Sequence, residues 1–288
     1  MTSQIKKIAL QGLPGAYSEQ AAQNYFKNIF PISIFSISYQ DSFEKLTQSI
    51  QNHLADQADY GLLPIENSSA GTVHSALDSL LATENIEIIG ETILPVHHAL
   101  LAKPGVTINQ IKTAISHPQA LAQCTGFLKT RNIQAQDFFD TAGAAEYLSK
   151  QSDPSYLSTA AIASVLCAEK YGLVCLQENI EDLSNNQTRF LVLARVNSLK
   201  IFQDPKNLFK SFLVFSLKNK TDTLAKFLIL LSNAGINLTK IESQPDRILP
   251  FHYQFILELT HKNNLLETLE TAQCLLNTCR VFGTWQIK

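Results

Sequence analysis

From residue 5 to residue 195, short β-rich runs alternate with stretches of helical period, and polar turns mark many of the changes between them. Such alternation is how α/β units read in sequence. "KKIALQG" gives the first strand and "SEQAAQNYFKN" the first helix, with Ser18 as its N-cap. "DSFEKLTQSIQNHL" places Asp41 and Glu44 in capping-box spacing and aligns Phe43, Leu46, Ile50 and Leu54 on one helical face. "DYGLLPIEN" reads as a buried strand closed by a Pro. Val73, Ala76, Leu77, Leu80 and Leu81 form the next helical stripe. "IEIIGETILPVHHALLAK" is long enough for two strands or a bent one, and here the chain crosses into a second lobe. "KTAISH" and "PQALAQCTGFLKTR" are strand then helix, with Pro118 in the first helical turn. "AQDFFD" and "TAGAAEYLSKQ" repeat that unit. "SYLSTAAIASVLCAEKYG" and "LVCLQENI" give helix then strand, and "TRFLVLAR" ends the region.

The texture changes at residue 196. Residues 196–209 read as a polar, Pro-containing linker, and residues 210–288 as a smaller domain of order βαββαβ, the ferredoxin-like arrangement, with Gly235 as a helix stop. The length of 288 residues agrees with a two-domain division on a prior of roughly 150 residues each. Lys plus Arg number 23 and Asp plus Glu 25, a net charge of −2 that supplies no basic field for nucleic acid or an anionic membrane. No segment offers the roughly 18 uncharged apolar residues of a membrane span, and "MTSQIKKIALQG" does not read as a signal peptide. Five cysteines without a C-x-x-C pair fit reduced, buried thiols in a cytoplasmic protein. Small molecules are the expected partners.

Several polar segments follow strands, where α/β proteins bind ligands beside helix N-termini. "GLPGAYS", residues 12–18, allows close backbone approach to an anion, or is an ordinary strand-to-helix turn; no Gly-Lys-Ser/Thr makes it a Walker motif. "PIENSSAGTV" carries Glu66, Asn67, Ser68 and Ser69; a carboxylate beside an amide here orients a substrate hydroxyl, acts as an acid if burial raises its pKa, or is a solvated Glu next to a cap. In "SHPQALAQC", Ser116 ends a strand and Gln123 lies one turn beyond Gln119, so Ser116 and Gln123 are expected to converge; His117 ranks below the serine as a turn residue before Pro. "DTAGAA" opens a helix with Asp140 and Thr141. His97 and His98 are adjacent rather than at i, i+4, so they read as structural; neither a metal nor a dinucleotide cofactor is expected.

Taken in order, "GLPGAYSEQAA", "PIENSSAGTV", "SHPQALAQC", "DTAGAA", "AAIAS" with "AEKYGL", and "NNQTRF" resemble the prephenate dehydratase family. The smaller domain resembles an ACT regulatory domain through "GINLTKIESQP" and its element order. The resemblance implies a two-lobed, periplasmic-binding-protein-like catalytic region in residues 1–195 and an ACT domain that binds phenylalanine at a dimer interface, in a homodimer or homotetramer. It also implies conversion of prephenate to phenylpyruvate without a cofactor. Carried onto this chain, Thr188, Arg189 and Glu66 are the catalytic residues; Asn67, Ser68, Ser116, Gln123, Thr141 and Phe190 bind substrate, with Phe190 alternatively packing beneath the pocket. Leu224, Asn237, Leu238, Glu242 and Ser243 are the implied phenylalanine site. Two departures stand there: Thr221, Asp222, Thr223 and Leu224 replace a Pro-Gly-Ala-Leu turn, and Gln244 stands where the family has Arg. Arogenate in place of prephenate, or a sensor without catalysis, are the other readings. Because neighbours in a regular strand face opposite ways, Thr188 and Arg189 reach one ligand only at an irregular loop-to-strand junction.

Overall fold

The structure is a computed structural model that describes residues 5–29, 35–51, 57–197, 207–246, 252–262 and 264–287. Leu54 and residues 198–206 of the expected linker lie outside these. Contacts divide the chain into one unit of Met1–Glu84 with Glu91–Val192 and a second of Asn85–Gly90 with Leu193–Lys288. Among the described residues, no helix is long and apolar enough to cross a membrane.

The first unit holds most of two sheets. One is built from β1 (Lys6–Gln11), β2 (Phe35–Gln40), β3 (Tyr60–Asn67), β5 (Ile86–Pro95) and β11 (Gln187–Arg195) in the order β2-β1-β3-β11-β5, with the short β4 (Gly71–Thr72) paired to β3. Helices α1 (Tyr17–Lys27), α2 (Phe43–Gln51) and α3 (His74–Leu81) belong to this half. Ile86–Gly90 of β5 and Leu193–Arg195 of β11, in this first sheet, are part of the second unit. The other sheet contains β6 (Ala99–Ala102), β7 (Thr113–Ser116), β8 (Gln134–Asp137), β9 (Thr159–Ala163) and β10 (Val174–Gln177) in the order β10-β6-β9-β7-β8. With it come α4 (Pro118–Gln123), α5 (Thr125–Thr130), α6 (Thr141–Lys150) and α7 (Leu166–Tyr171). Its strands β6 and β9 are apolar on both faces: Leu100, Ala102, Ala160 and Ile162 join one core cluster, and Ala99, Leu101, Ala161 and Ala163 the other. That is why they show no period-two alternation in sequence.

The long stretch at 86–102 is two strands in different sheets, the first of the two alternatives expected, with Val96, His97 and His98 in the crossover. Several other local expectations need correction. The stretch at 155–172 is not one helix, because the buried strand β9 lies inside it, and the helix expected at 118–131 breaks at Cys124 into α4 and α5. β3 runs through Pro64 to Asn67; its pairing with β1 stops at Leu62, so on that side the missing N–H of Pro64 interrupts no ladder. Ser18 does not cap α1, whose N-cap is Ala16, and bonds Gln11 O instead. Ser42, rather than Asp41, accepts from the first turn of α2.

The second unit contains β12 (Phe209–Leu217), α8 (Thr223–Asn233), β13 (Asn237–Pro245), β14 (Tyr253–His261), α9 (Leu265–Thr271) and β15 (Leu276–Gln286). The sheet order β13-β14-β12-β15, antiparallel throughout, is ferredoxin-like. Leu213, Phe215, Leu257 and Leu259 pack against Phe227 and Leu231 of α8 and Leu265 of α9. Gly235 takes the left-handed φ of +69° that ends α8. Gly283 has no room for a Cβ, because the backbone of Ile88 lies against it.

Candidate active site

A cleft of about 130 Å³ in the first unit is lined by residues that the polar turns deliver. Tyr17 opens α1, Asn67 ends β3, Val96 and His98 come from the crossover, and His117, Gln119, Ala120 and Gln123 surround the start and end of α4. Thr141 opens α6; Asn186 and Thr188 stand at the start of β11. No Asp, Glu, Lys or Arg is among these lining residues. Three helices begin at the cleft wall; at α4 the Gln119 and Ala120 N–H groups already bond His117, and at α6 the Asp140 carboxylate takes the Gly143 N–H.

Asn67 organises one wall. Its Oδ1 accepts from the backbone N–H groups of Ser69 and Ala70, both at 3.0 Å. This fixes the amide the other way round, and Nδ2 donates to Asn186 Oδ1 at 2.9 Å, Gln187 O at 3.2 Å and Thr188 Oγ1 at 3.0 Å. The Thr188 oxygen therefore accepts from the protein, and its own proton remains for a ligand. Across the cleft, Gln123 Oε1 accepts from Asn186 Nδ2 at 3.0 Å and meets His98 Nε2 at 2.8 Å. His98 Nδ1 faces the Tyr17 hydroxyl at 2.7 Å, and its backbone N–H donates to Glu181 Oε2 at 2.9 Å.

Burial lowers the His98 pKa below the ordinary histidine value, although the Gln123 bond and the Glu181 charge oppose the shift. The ring is neutral at pH 7. Burial also raises the Tyr17 hydroxyl well above its usual range, so Tyr17 keeps its proton. Glu181, pushed upward by burial, is held below the usual carboxylate range by bonds from His97 and the His98 N–H.

The structure brings together four of the expected site residues, Asn67, Gln123, Thr141 and Thr188, and separates the others. β11 runs through both Thr188 and Arg189, so the expected irregular junction is absent and the two side chains part. Arg189 donates to Glu66 Oε2 at 2.9 Å and Glu91 Oε2 at 3.0 Å, tying the neighbouring strands β3, β11 and β5. Glu66 and Asn67 are divided by the same pleat, and neither Glu66 nor Arg189 lines the cleft. Ser116 is fully buried and donates to Ile162 O at 2.6 Å, whereas His117, ranked below it, lines the cleft and caps α4. Ser68 clamps the 185–187 segment, accepting from Gln187 N and donating to Asn185 O. Phe190 is core. The "GLPGAYS" turn is no anion nest: Gly12, Gly15 and Ala16 donate their N–H groups to Gln40 O, Glu19 Oε2 and Leu13 O. It serves to deliver Tyr17.

Tyr17, His98 and Asn186 are the functional candidates that the sequence reading missed. His98 is hidden in an apolar stretch, and only the "NNQ" polarity before the strand hinted at Asn186. Among the described residues, no group of three or more His, Cys, Asp or Glu is placed to hold a metal ion.

In the second unit, Leu224 lines a cavity of about 420 Å³ with Lys218, Lys220, Tyr253 and Thr278 among others. Asn237, Leu238, Glu242 and Ser243 do not line it: Leu238 packs on the core, and Glu242 pairs with Lys240 at 3.6 Å. Asp222 takes a left-handed φ of +66° where the resemblance places Gly.

A sequence model described as prephenate dehydratase matches residues 8–198. The arogenate dehydratase/prephenate dehydratase 1 of Arabidopsis thaliana is 42% identical over 244 residues, which make up 85% of this chain and 58% of that protein. This chain spans between 54% and 70% of the length of such curated relatives. Among solved structures, GqqA, described as a novel type of quorum quenching acylase, is 29% identical with a TM-score of 0.83 and 98% of each chain covered. The prephenate dehydratase of Arthrobacter aurescens in complex with L-Phe is 26% identical with a TM-score of 0.82, covering 97% of this chain and 89% of that one. With the family's model spanning most of the first unit and the same fold extending over nearly the whole chain, this chain belongs to the prephenate dehydratase family.

Proposed function

We propose that the chain catalyses the decarboxylative dehydration of prephenate to phenylpyruvate in phenylalanine biosynthesis. The observation that carries this reading is the Thr188 hydroxyl, which accepts from Asn67 Nδ2 at 3.0 Å and so keeps its own proton for the leaving ring hydroxyl. Threonine is too weak an acid to surrender that proton freely; its bond stabilises charge as hydroxide departs. The Thr141 hydroxyl and the Gln123 amide, both on the cleft wall, hold the pyruvyl carboxylate. The ring carboxylate, leaving as carbon dioxide, meets no Lys or Arg among the lining residues, and an ion pair there would favour the ground state and slow the step.

Prephenate is preferred to arogenate, because no lining carboxylate meets the arogenate ammonium group. Acyl transfer, the activity named for GqqA, is not our reading: it calls for a nucleophile against a base, and both ring nitrogens of His98 are engaged by Tyr17 and Gln123 while His117 Nδ1 caps α4 through the Gln119 N–H. Arg189 and Glu66 serve the strand framework and not the chemistry.

The second unit is an ACT domain in this reading, with phenylalanine as feedback effector in a homodimer or homotetramer. L-Phe in the Arthrobacter aurescens structure supports the effector, and five free thiols support a cytoplasmic setting. The test is to incubate the purified chain with prephenate, then arogenate, and follow phenylpyruvate and phenylalanine, with and without added phenylalanine. No product from either substrate sinks the enzyme; faster turnover of arogenate sinks the preference; insensitivity to phenylalanine sinks only the regulation.

A further inference from the structure

The two backbone N–H groups on Asn67 Oδ1 determine more than the orientation of Asn67. With Nδ2 turned toward Asn186 Oδ1, the Asn186 amide is fixed as well, and its Nδ2 donates to Gln123 Oε1. Gln123 Oε1 is then an acceptor, so its second neighbour, His98 Nε2 at 2.8 Å, must carry a hydrogen. A neutral ring protonated on Nε2 has its lone pair on Nδ1, and the Tyr17 hydroxyl, whose one proton is shared between His97 O at 3.0 Å and His98 Nδ1 at 2.7 Å, has that lone pair as its nearer acceptor. Proton positions thus follow from the turn after β3 to the start of α1. They leave the Gln123 NH₂ group with no protein partner among the described residues, on a side chain that lines the cleft.

We propose that His98, kept as the Nε2–H tautomer by Tyr17, is a positioning residue that locks the Gln123 amide so that it offers N–H, and not C=O, to an anionic substrate. Without the His98 donor, one of the two hydrogen bonds opposing a flip of Gln123 is lost. The flipped amide would set a carbonyl oxygen against the substrate's negative charge. The lock extends the dehydratase reading above, and the kinetic part of its test rests on that reading.

The first arm needs no turnover. Long-range ¹H–¹⁵N NMR of the full chain with ¹⁵N-labelled histidine, assigned through the signals lost in His98→Gln, is expected to show His98 neutral and protonated on Nε2 at pH 7. The groups facing the ring are Tyr17 of α1, the adjacent His97, and Glu181 and Gln123 from the other half of the unit. An Nδ1–H tautomer or an imidazolium overturns the proposal.

The second arm compares His98→Leu with His98→Gln, whose amide nitrogen keeps a donor directed at Gln123. We expect kcat/KM to fall about 10- to 100-fold in His98→Leu, mainly through KM, and to recover to within about threefold of wild type in His98→Gln. Equal losses in the two variants, or none in either, overturn the lock. If the wild-type chain makes no product while the NMR shows the Nε2–H tautomer, the lock stands and the substrate reading falls.

Discussion

His98 in the first unit and His261 in the second are each only 2% exposed, and burial lowers the pKa of both. Their surroundings differ. His98 has a partner on each ring nitrogen and a cleft beside it. His261 meets Ser211 Oγ through Nε2 at 2.8 Å, lies 6.1 Å from the Phe209 ring, and has no partner for Nδ1 among the described residues. Burial alone therefore does not distinguish a working histidine from one that fills a core. Completeness of its hydrogen bonds does, because an unmet nitrogen costs stability and leaves the tautomer undefined.

The largest test of this contrast lies at the end of the His98 network. Thr188→Ala should fold normally and lose about 10²- to 10⁴-fold in kcat, the range for a positioned donor, while Thr188→Ser retains most of it. Steady-state kinetics with prephenate decides; near-normal turnover of the alanine variant would separate the network from the chemistry. Arg189 offers the opposite outcome. Arg189→Leu breaks the ties to Glu66 and Glu91, and since Glu66 is 38% exposed the loss is moderate, about 1–3 kcal/mol in urea unfolding. KM should change less than threefold, and a tenfold rise would return Arg189 to the substrate.

How far these roles were readable in the sequence follows from the pleat. Strand alternation already forbade Glu66 with Asn67, or Thr188 with Arg189, from sharing a ligand, and in each pair one member reaches the cleft. Sequence could not say which, because the choice depends on where β11 inserts between β3 and β5. The α/β alternation and the βαββαβ order were legible from period. β9 was not: "TAAIA" is small and apolar, alanine favours helix, and a strand buried on both faces has no period of its own. Ser116 and His117 were ranked in the wrong order for a related reason, since the strand's last residue turned into the core and the capping residue turned out.

Acid sharpens the comparison further. Both histidines have folded pKa values below the unfolded value near 6.5, so below that pH the unfolded chain binds more protons. Their contribution to stability is complete above pH 6.5 and is lost as pH falls through the interval down to each folded pKa. The urea midpoint should be lower at pH 5.5 than at pH 7.5. His261→Leu should reduce that drop and, because Ser211 keeps Thr284 Oγ1 at 2.7 Å, change stability at pH 7.5 by no more than about 1 kcal/mol. A larger loss would mean that His261 has a role beyond filling space.

The smallest effect concerns a backbone and not a ring. Asp222 occupies φ +66°, ψ 1° at the entrance to α8, and its side chain makes no capping bond there. Left-handed backbone costs an L-residue about 1–2 kcal/mol, less for Asp than for most. Asp222→Gly removes that strain but adds freedom to the unfolded chain, so the net gain should be no more than about 1 kcal/mol, read as a small rise in urea midpoint. The same substitution removes a carboxylate near the cavity that contains Leu224. If that cavity takes an amino acid, inhibition by phenylalanine should set in at lower concentration in Asp222→Gly. An unchanged inhibition curve beside a raised midpoint would assign Asp222 to backbone geometry alone and place the effector away from the α8 entrance.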